Sequence, residues 1–81
     1  MQIKPLDPQL SKYLKKHNLE NKFIKQVEIF QHNPRHPSLH TEILEPKERK
    51  IYSFRIDKKY RAIFLIWESE AEIIDINDHY Q

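Results

Sequence analysis

The spacing of apolar residues changes once along this chain, near residue 33, and the change divides it into a helical half and a stranded half. Residues 2–6 fit a short strand. Asp7-Pro8 then offers a side-chain acceptor followed by proline at a first helical position, which predicts a helix over about 8–17. Asn18 offers a second N-cap. Beyond it Leu19, Phe23, Val27 and Phe30 fall at helical spacing on one face of a helix running to about residue 31. Two helices so closely joined make a hairpin with one apolar side, and that stripe is a core face.

Asn33-Pro34-Arg35-His36-Pro37 ends the helical half, because each proline lacks an amide proton and restricts the residue before it. From there the period is two. Residues 39–44 read as a strand, 45–49 as a charged connection, and 51–56 as a second strand with Tyr52, Phe54 and Ile56 on one face. Residues 57–59 form a turn, 60–67 the strongest strand, 68–70 a turn, 71–76 the last strand and 77–81 a polar tail. This order predicts an α+β fold: an N-terminal strand and a helical hairpin packed on an antiparallel meander, as one domain over residues 1–81.

With 81 residues there is room for one hydrophobic core, and a chain this short buries only about 60% of the surface its unfolded form exposes. It gains from an added stabiliser. Cysteine is absent, which removes disulfides and thiolate metal sites together and leaves a partner, protein or nucleic acid. Glycine is absent too, so Walker-type and dinucleotide-binding phosphate loops are excluded. The start, Met1-Gln2-Ile3-Lys4-Pro5, lacks the apolar run of a signal peptide, and no stretch has the length of a membrane span; the expected location is the cytoplasm. The net charge of +2 conceals a division. Residues 1–61 hold all 14 Lys and Arg against seven acids, a balance of +7, while residues 62–81 hold five acids and no Lys or Arg. A field this lopsided suits an anionic partner at the basic end.

Four segments, in order, carry a resemblance: Asn-Pro-Arg-His-Pro-Ser-Leu at 33–39, Tyr-Ser-Phe-Arg-Ile at 52–56, Tyr-Arg-Ala-Ile-Phe at 60–64 and Asp-His-Tyr at 78–80. Together they make the chain resemble the RelE/ParE toxin superfamily, above all its RelE, YoeB and YafQ branches. The resemblance implies a helical hairpin on an antiparallel sheet, cleavage of messenger RNA in the ribosomal decoding site, no cofactor, and neutralisation by a co-expressed antitoxin. A ParE-type inhibitor of DNA gyrase, needing neither acid nor base, and a non-toxic RNA-binding relative share the same pattern. Where such toxins often carry glycine this chain has Pro46 and Asn77, so its connections are expected to use type I geometry or left-handed Asn. Any C-terminal helix that other members possess is expected to be missing here.

Cleaving RNA without a metal takes a base for the 2′-hydroxyl proton, cations for the phosphorane and an acid for the departing oxygen. Arg61 and Arg55 are the candidate cations. If the turn holds three residues, 57–59, Arg55 pairs with Arg61 and both guanidiniums share one sheet face; a two-residue turn would separate them. The resemblance to the YoeB branch implies a strand carboxylate, matched here by Glu42, and a C-terminal His-Tyr, matched by His79 and Tyr80. Glu42 then serves as base, His79 as acid, and Tyr80 orients or stacks on a nucleobase. Lys47, Arg49, Lys50, Lys58 and Lys59 gather on the connections of the meander as phosphate anchors for ribosomal RNA. His36 and His40 flank Pro37-Ser38-Leu39 without the tight spacing of a metal site, and His17 and His32 are expected to cap helix ends.

Overall fold

The computed structural model describes residues 1–79. In chain order it contains β1 (Gln2–Ile3), α1 (Pro8–Lys16), α2 (Glu20–His32), β2 (Glu42–Ile43), β3 (Tyr52–Arg55), β4 (Arg61–Trp67) and β5 (Glu70–Asn77), with single 3₁₀ turns at Pro37–Leu39 and Lys47–Arg49. The five strands form one sheet in the order β1-β5-β4-β3-β2. β2 through β5 are antiparallel neighbours, the expected meander, whereas β1 lies parallel to β5 and makes the sheet mixed. The helical hairpin carries the chain from β1 at one edge of the sheet to β2 at the other. After the Lys4 N–H reaches the Ala71 carbonyl at 2.8 Å, Pro5 has no proton to donate and the strand stops.

α1 begins as its sequence predicts: Asp7 Oδ1 accepts from the Gln9 amide at 2.7 Å and Pro8 opens the first turn. The junction to α2 is different. Asn18 does not cap α2 but ends α1, at φ 59° in the left-handed region, with its N–H on the Lys15 carbonyl and the Leu19 N–H on the Leu14 carbonyl. That pair of bonds is a Schellman motif, and the buried Leu14 and Leu19 supply its apolar contact. Asn is read as a start from sequence because its side chain suits an N-cap; it also tolerates positive φ, and here that property decides.

From α2, Leu19, Phe23 and Phe30 enter the core as expected, Val27 packs at its margin, and the polar Gln26 is buried in addition. Phe30 lies 5.4 Å from Phe54 and 5.2 Å from Phe64, ring to ring, so one aromatic cluster fastens the hairpin to β3 and β4. The expected strand over 39–44 shrinks to two residues. Pro37 favours a 3₁₀ turn whose start is capped by His36 Nδ1 accepting from the Ser38 amide, Leu39 turns fully into the core, and His40 leaves in the left-handed conformation.

Positive φ falls on Asn18, His40, Lys50 and Glu68, so the glycine-free turns place ordinary side chains where glycine is at ease. Asn77, expected as a left-handed turn residue, is instead the last residue of β5. Glu68 occupies the two-residue loop between β4 and β5. Glu68→Gly should therefore raise stability by up to about 1 kcal/mol, seen as an increase of a few degrees in Tm; an unchanged or lower Tm would show that the left-handed Glu68 costs nothing.

Candidate functional site

Alternation along the meander puts Phe54, Ala62, Phe64 and Ile76 toward the helices and Ser53, Arg55, Arg61 and Asn77 on the opposite face. The turn holds three residues. Ile56 N–H donates to the Tyr60 carbonyl at 2.9 Å, Arg55 stands opposite Arg61, and Arg61 stands opposite Asn77. Asp57 builds this turn, its Oδ1 accepting from the Lys59 and Tyr60 amides at 2.8 Å each while Oδ2 meets Lys22 Nζ at 3.4 Å. Burial alone would raise the Asp57 pKa, but the two amides and Lys22 outweigh it and hold the carboxyl below its ordinary value.

A folded-state pKa below the unfolded one contributes stability above the unfolded value, near 3.9, that is lost as pH falls through the folded value. Asp57→Asn, which keeps one acceptor oxygen but loses the charge, should therefore cost about 1 kcal/mol near neutral pH. That difference from the unmutated protein should shrink below about pH 4. Urea melts across that range test it; a constant difference would mean that the charge is not the stabilising element.

Arg61 is 6% exposed. Its Nε donates to Ser53 Oγ at 2.9 Å, and its Nη2 donates to the His40 carbonyl and, at 3.3 Å, to the Ser53 carbonyl. The same Nη2 lies 3.4 Å from Glu42 Oε1, whose side chain is mostly exposed. Burial, opposed by Glu42 and reinforced by Arg55, holds the Arg61 pKa below the usual guanidinium value; a guanidinium still carries its charge there. Nη1 has no acceptor among the described residues. Arg55 is half-buried and its side chain pairs with no acid among the described residues. Gln26 braces this end of β3 from the helical side, its Nε2 donating to the carbonyls of Arg55 at 2.7 Å and Ser38 at 3.2 Å.

A cleft of about 310 Å³ opens here, lined by His40, Thr41, Glu42, Arg55 and Arg61. Three residues singled out from the sequence thus meet in one place. His79 is not in the lining: its side chain is 81% exposed, its Nε2 lies 3.7 Å from Asp78 Oδ1, and its amide donates to Asn77 Oδ1 at 3.0 Å. Tyr80 lies outside the described residues. Lys47, Arg49 and Lys50 are exposed on and just after the second 3₁₀ turn; Lys58 and Lys59 are exposed on the β3–β4 turn, with Lys59 Nζ 3.9 Å from Asp78 Oδ2. His40 is the residue that sequence reasoning undervalued. Its sequence setting suggests at most a metal ligand, and nothing in local sequence shows that the carbonyl of a left-handed His40 meets a buried arginine 21 residues on. His32 Nδ1 lies 2.9 Å from the Glu28 carbonyl, an end-capping contact, while the His17 ring sits 3.2 Å from the Tyr60 hydroxyl and 4.2 Å from the Tyr13 ring.

No family model matches the chain. An uncharacterized protein of Haemophilus influenzae is 44% identical over 43 residues, 53% of this chain and 43% of that one, so the match spans less than half of the relative. Solved structures align over nearly the whole chain. A YoeB/ParE toxin from Agrobacterium tumefaciens superposes with a TM-score of 0.74 at 16% identity, covering 99% of this chain and 100% of that one. YafQ from E. coli strain BL21(DE3) gives 0.73 at 10%, covering 96% and 90%. A chain of a YoeB-YefM complex from Staphylococcus aureus gives 0.60 at 23%, covering 98% and 94%. This likeness over nearly the whole length shows that the chain has the RelE/ParE toxin fold.

Proposed function

We propose that this protein is the toxin of a type II toxin–antitoxin pair and that it cleaves ribosome-bound messenger RNA. The observation that supports this best is the cleft in which Arg55, paired with no acid among the described residues, stands beside a buried Arg61 and the carboxylate of Glu42. Two cations directly opposite one another on adjacent strands repel, a cost that makes sense where an anion sits between them. Glu42, beside Arg61, takes the 2′-hydroxyl proton as the 2′ oxygen attacks phosphorus; Arg55 and Arg61 meet the charge of the phosphorane; the bond to the 5′ oxygen breaks and that oxygen takes a proton from a histidine. Motif matching nominates His79 for that last role, with Tyr80 beside it stacking on a base. The reading calls on no cofactor. Lys47, Arg49, Lys50, Lys58 and Lys59 position the protein on ribosomal RNA through phosphates.

The antitoxin in this reading carries an acidic, partly disordered segment that covers the basic cleft and folds on it. The solved YoeB-YefM complex gives this partner a precedent on the same fold. In vitro translation is the test. The protein should cut message at the ribosomal decoding position and leave DNA gyrase supercoiling untouched; intact message with blocked supercoiling would replace this reading with a ParE-type one.

A further inference from the structure

His79 is the histidine that motif matching nominates, yet the histidine in the cleft is His40. Its backbone is fixed from both sides: the amide donates to the Pro37 carbonyl at 3.1 Å, and the carbonyl accepts from Arg61 Nη2. It holds φ 45° and ψ 49°, a left-handed conformation that is uncommon for a residue with a Cβ and that clusters at functional sites. The residue is exposed, and its imidazole makes no hydrogen bond to any described residue, so both ring nitrogens are available to a ligand. The charged groups lining the same cleft are Glu42 from β2, Arg55 from β3 and Arg61 from β4, and of these Arg55 alone lacks an acid partner among the described residues.

We infer that the cleft binds a phosphodiester between the Arg55 guanidinium and the His40 imidazole, and that His40 is the proton donor of the cleavage proposed above. Arg61 then serves His40 as a positioning residue in addition to facing the phosphate, because it holds the carbonyl from which the ring is carried. In the reaction the imidazolium of His40 gives its proton to the 5′ oxygen as the bond from phosphorus to that oxygen breaks, while Glu42 keeps the proton of the 2′-hydroxyl; both groups return to their starting states by exchange with water. The proton step rests on the nuclease reading, whereas the binding step does not, and the two are separated by the experiment.

A 2′-deoxy dinucleotide lacks the attacking hydroxyl and so binds without being cut. Histidine ring signals followed by NMR across pH, with and without this probe, should show the His40 midpoint rising by about half a pH unit or more, because a bound phosphate favours the imidazolium. Arg55→Ala should abolish that rise. In the translation assay His40→Asn, which retains a residue tolerant of the left-handed region but cannot transfer a proton, should slow cleavage about 100-fold and remove the loss of rate on the alkaline side. His40→Gln serves as a second variant should the first unfold. If His79 responds to the probe and His40 stays silent, or if His79→Asn removes the alkaline limb and His40→Asn keeps it, the assignment is overturned. If His40 responds but the unmutated protein cuts no message, the nuclease reading and the proton step fall together and the phosphodiester site stands.

Discussion

Arg61→Ala should destabilise the protein by about 3 kcal/mol and abolish message cleavage. Three hydrogen bonds disappear at once, and two of the acceptors they leave belong to Ser53, which is fully buried. A buried hydroxyl that loses its donor is penalised more than a typical hydrogen bond is rewarded. The partner carboxylate softens the loss: Glu42 is mostly exposed and returns to water, so no buried charge is stranded. For a chain of 81 residues a total stability of roughly 4–12 kcal/mol is ordinary, which makes the loss a large fraction and lowers Tm by roughly 15 °C. Arg61→Lys retains a positive charge but cannot span Ser53 and the His40 carbonyl together, and should recover only part of either property. Thermal melts of the three proteins decide the matter; an Arg61→Ala protein as stable as its parent would mean that the buried fork holds nothing.

Arg55→Ala should do the reverse, lowering cleavage about 100- to 1,000-fold while leaving stability within about 0.5 kcal/mol. The side chain is half-buried and forms no ion pair among the described residues, so truncation strands nothing. It also removes a like charge that helps hold the Arg61 pKa down, which offsets the packing lost. A group that contributes little to the folded state yet stands where phosphate charge would develop has its effect in the transition state. Single-turnover cleavage on ribosome-bound message, measured beside Tm, separates the two quantities. Equal rates for parent and Arg55→Ala would remove this guanidinium from the mechanism, and an equal loss of rate and of stability would make it structural.

The contrast between the two arginines was not legible in the sequence. Period-two alternation and a three-residue turn are local matters, and from them the pairing of Arg55 with Arg61 on one face follows by counting. Burial is not local. Arg61 becomes a clamp because Ser53 lies diagonal to it on β3 and because the chain between Leu39 and Glu42 passes over its tip. Arg55 stays available because no acid reaches it from the neighbouring elements. Asn18 illustrates the same limit on a smaller scale: its two local preferences, N-cap and left-handed C′ residue, were indistinguishable until Leu14 and Leu19 were seen to close the Schellman contact.

What the amino-acid order determined unaided was the set of elements, their order, the apolar stripe of α2, the turn at 57–59 and the division of charge along the chain, because each depends on neighbours within one or two turns of backbone. Tertiary structure decided the parallel seat of β1 beside β5, the contraction of β2 to two residues and the meeting of His40, Glu42, Arg55 and Arg61 in one cleft. Those outcomes rest on contacts between residues far apart in sequence, where the free energy of burying Leu39 and satisfying the Arg61 fork outweighs the strand preference of residues 39–44.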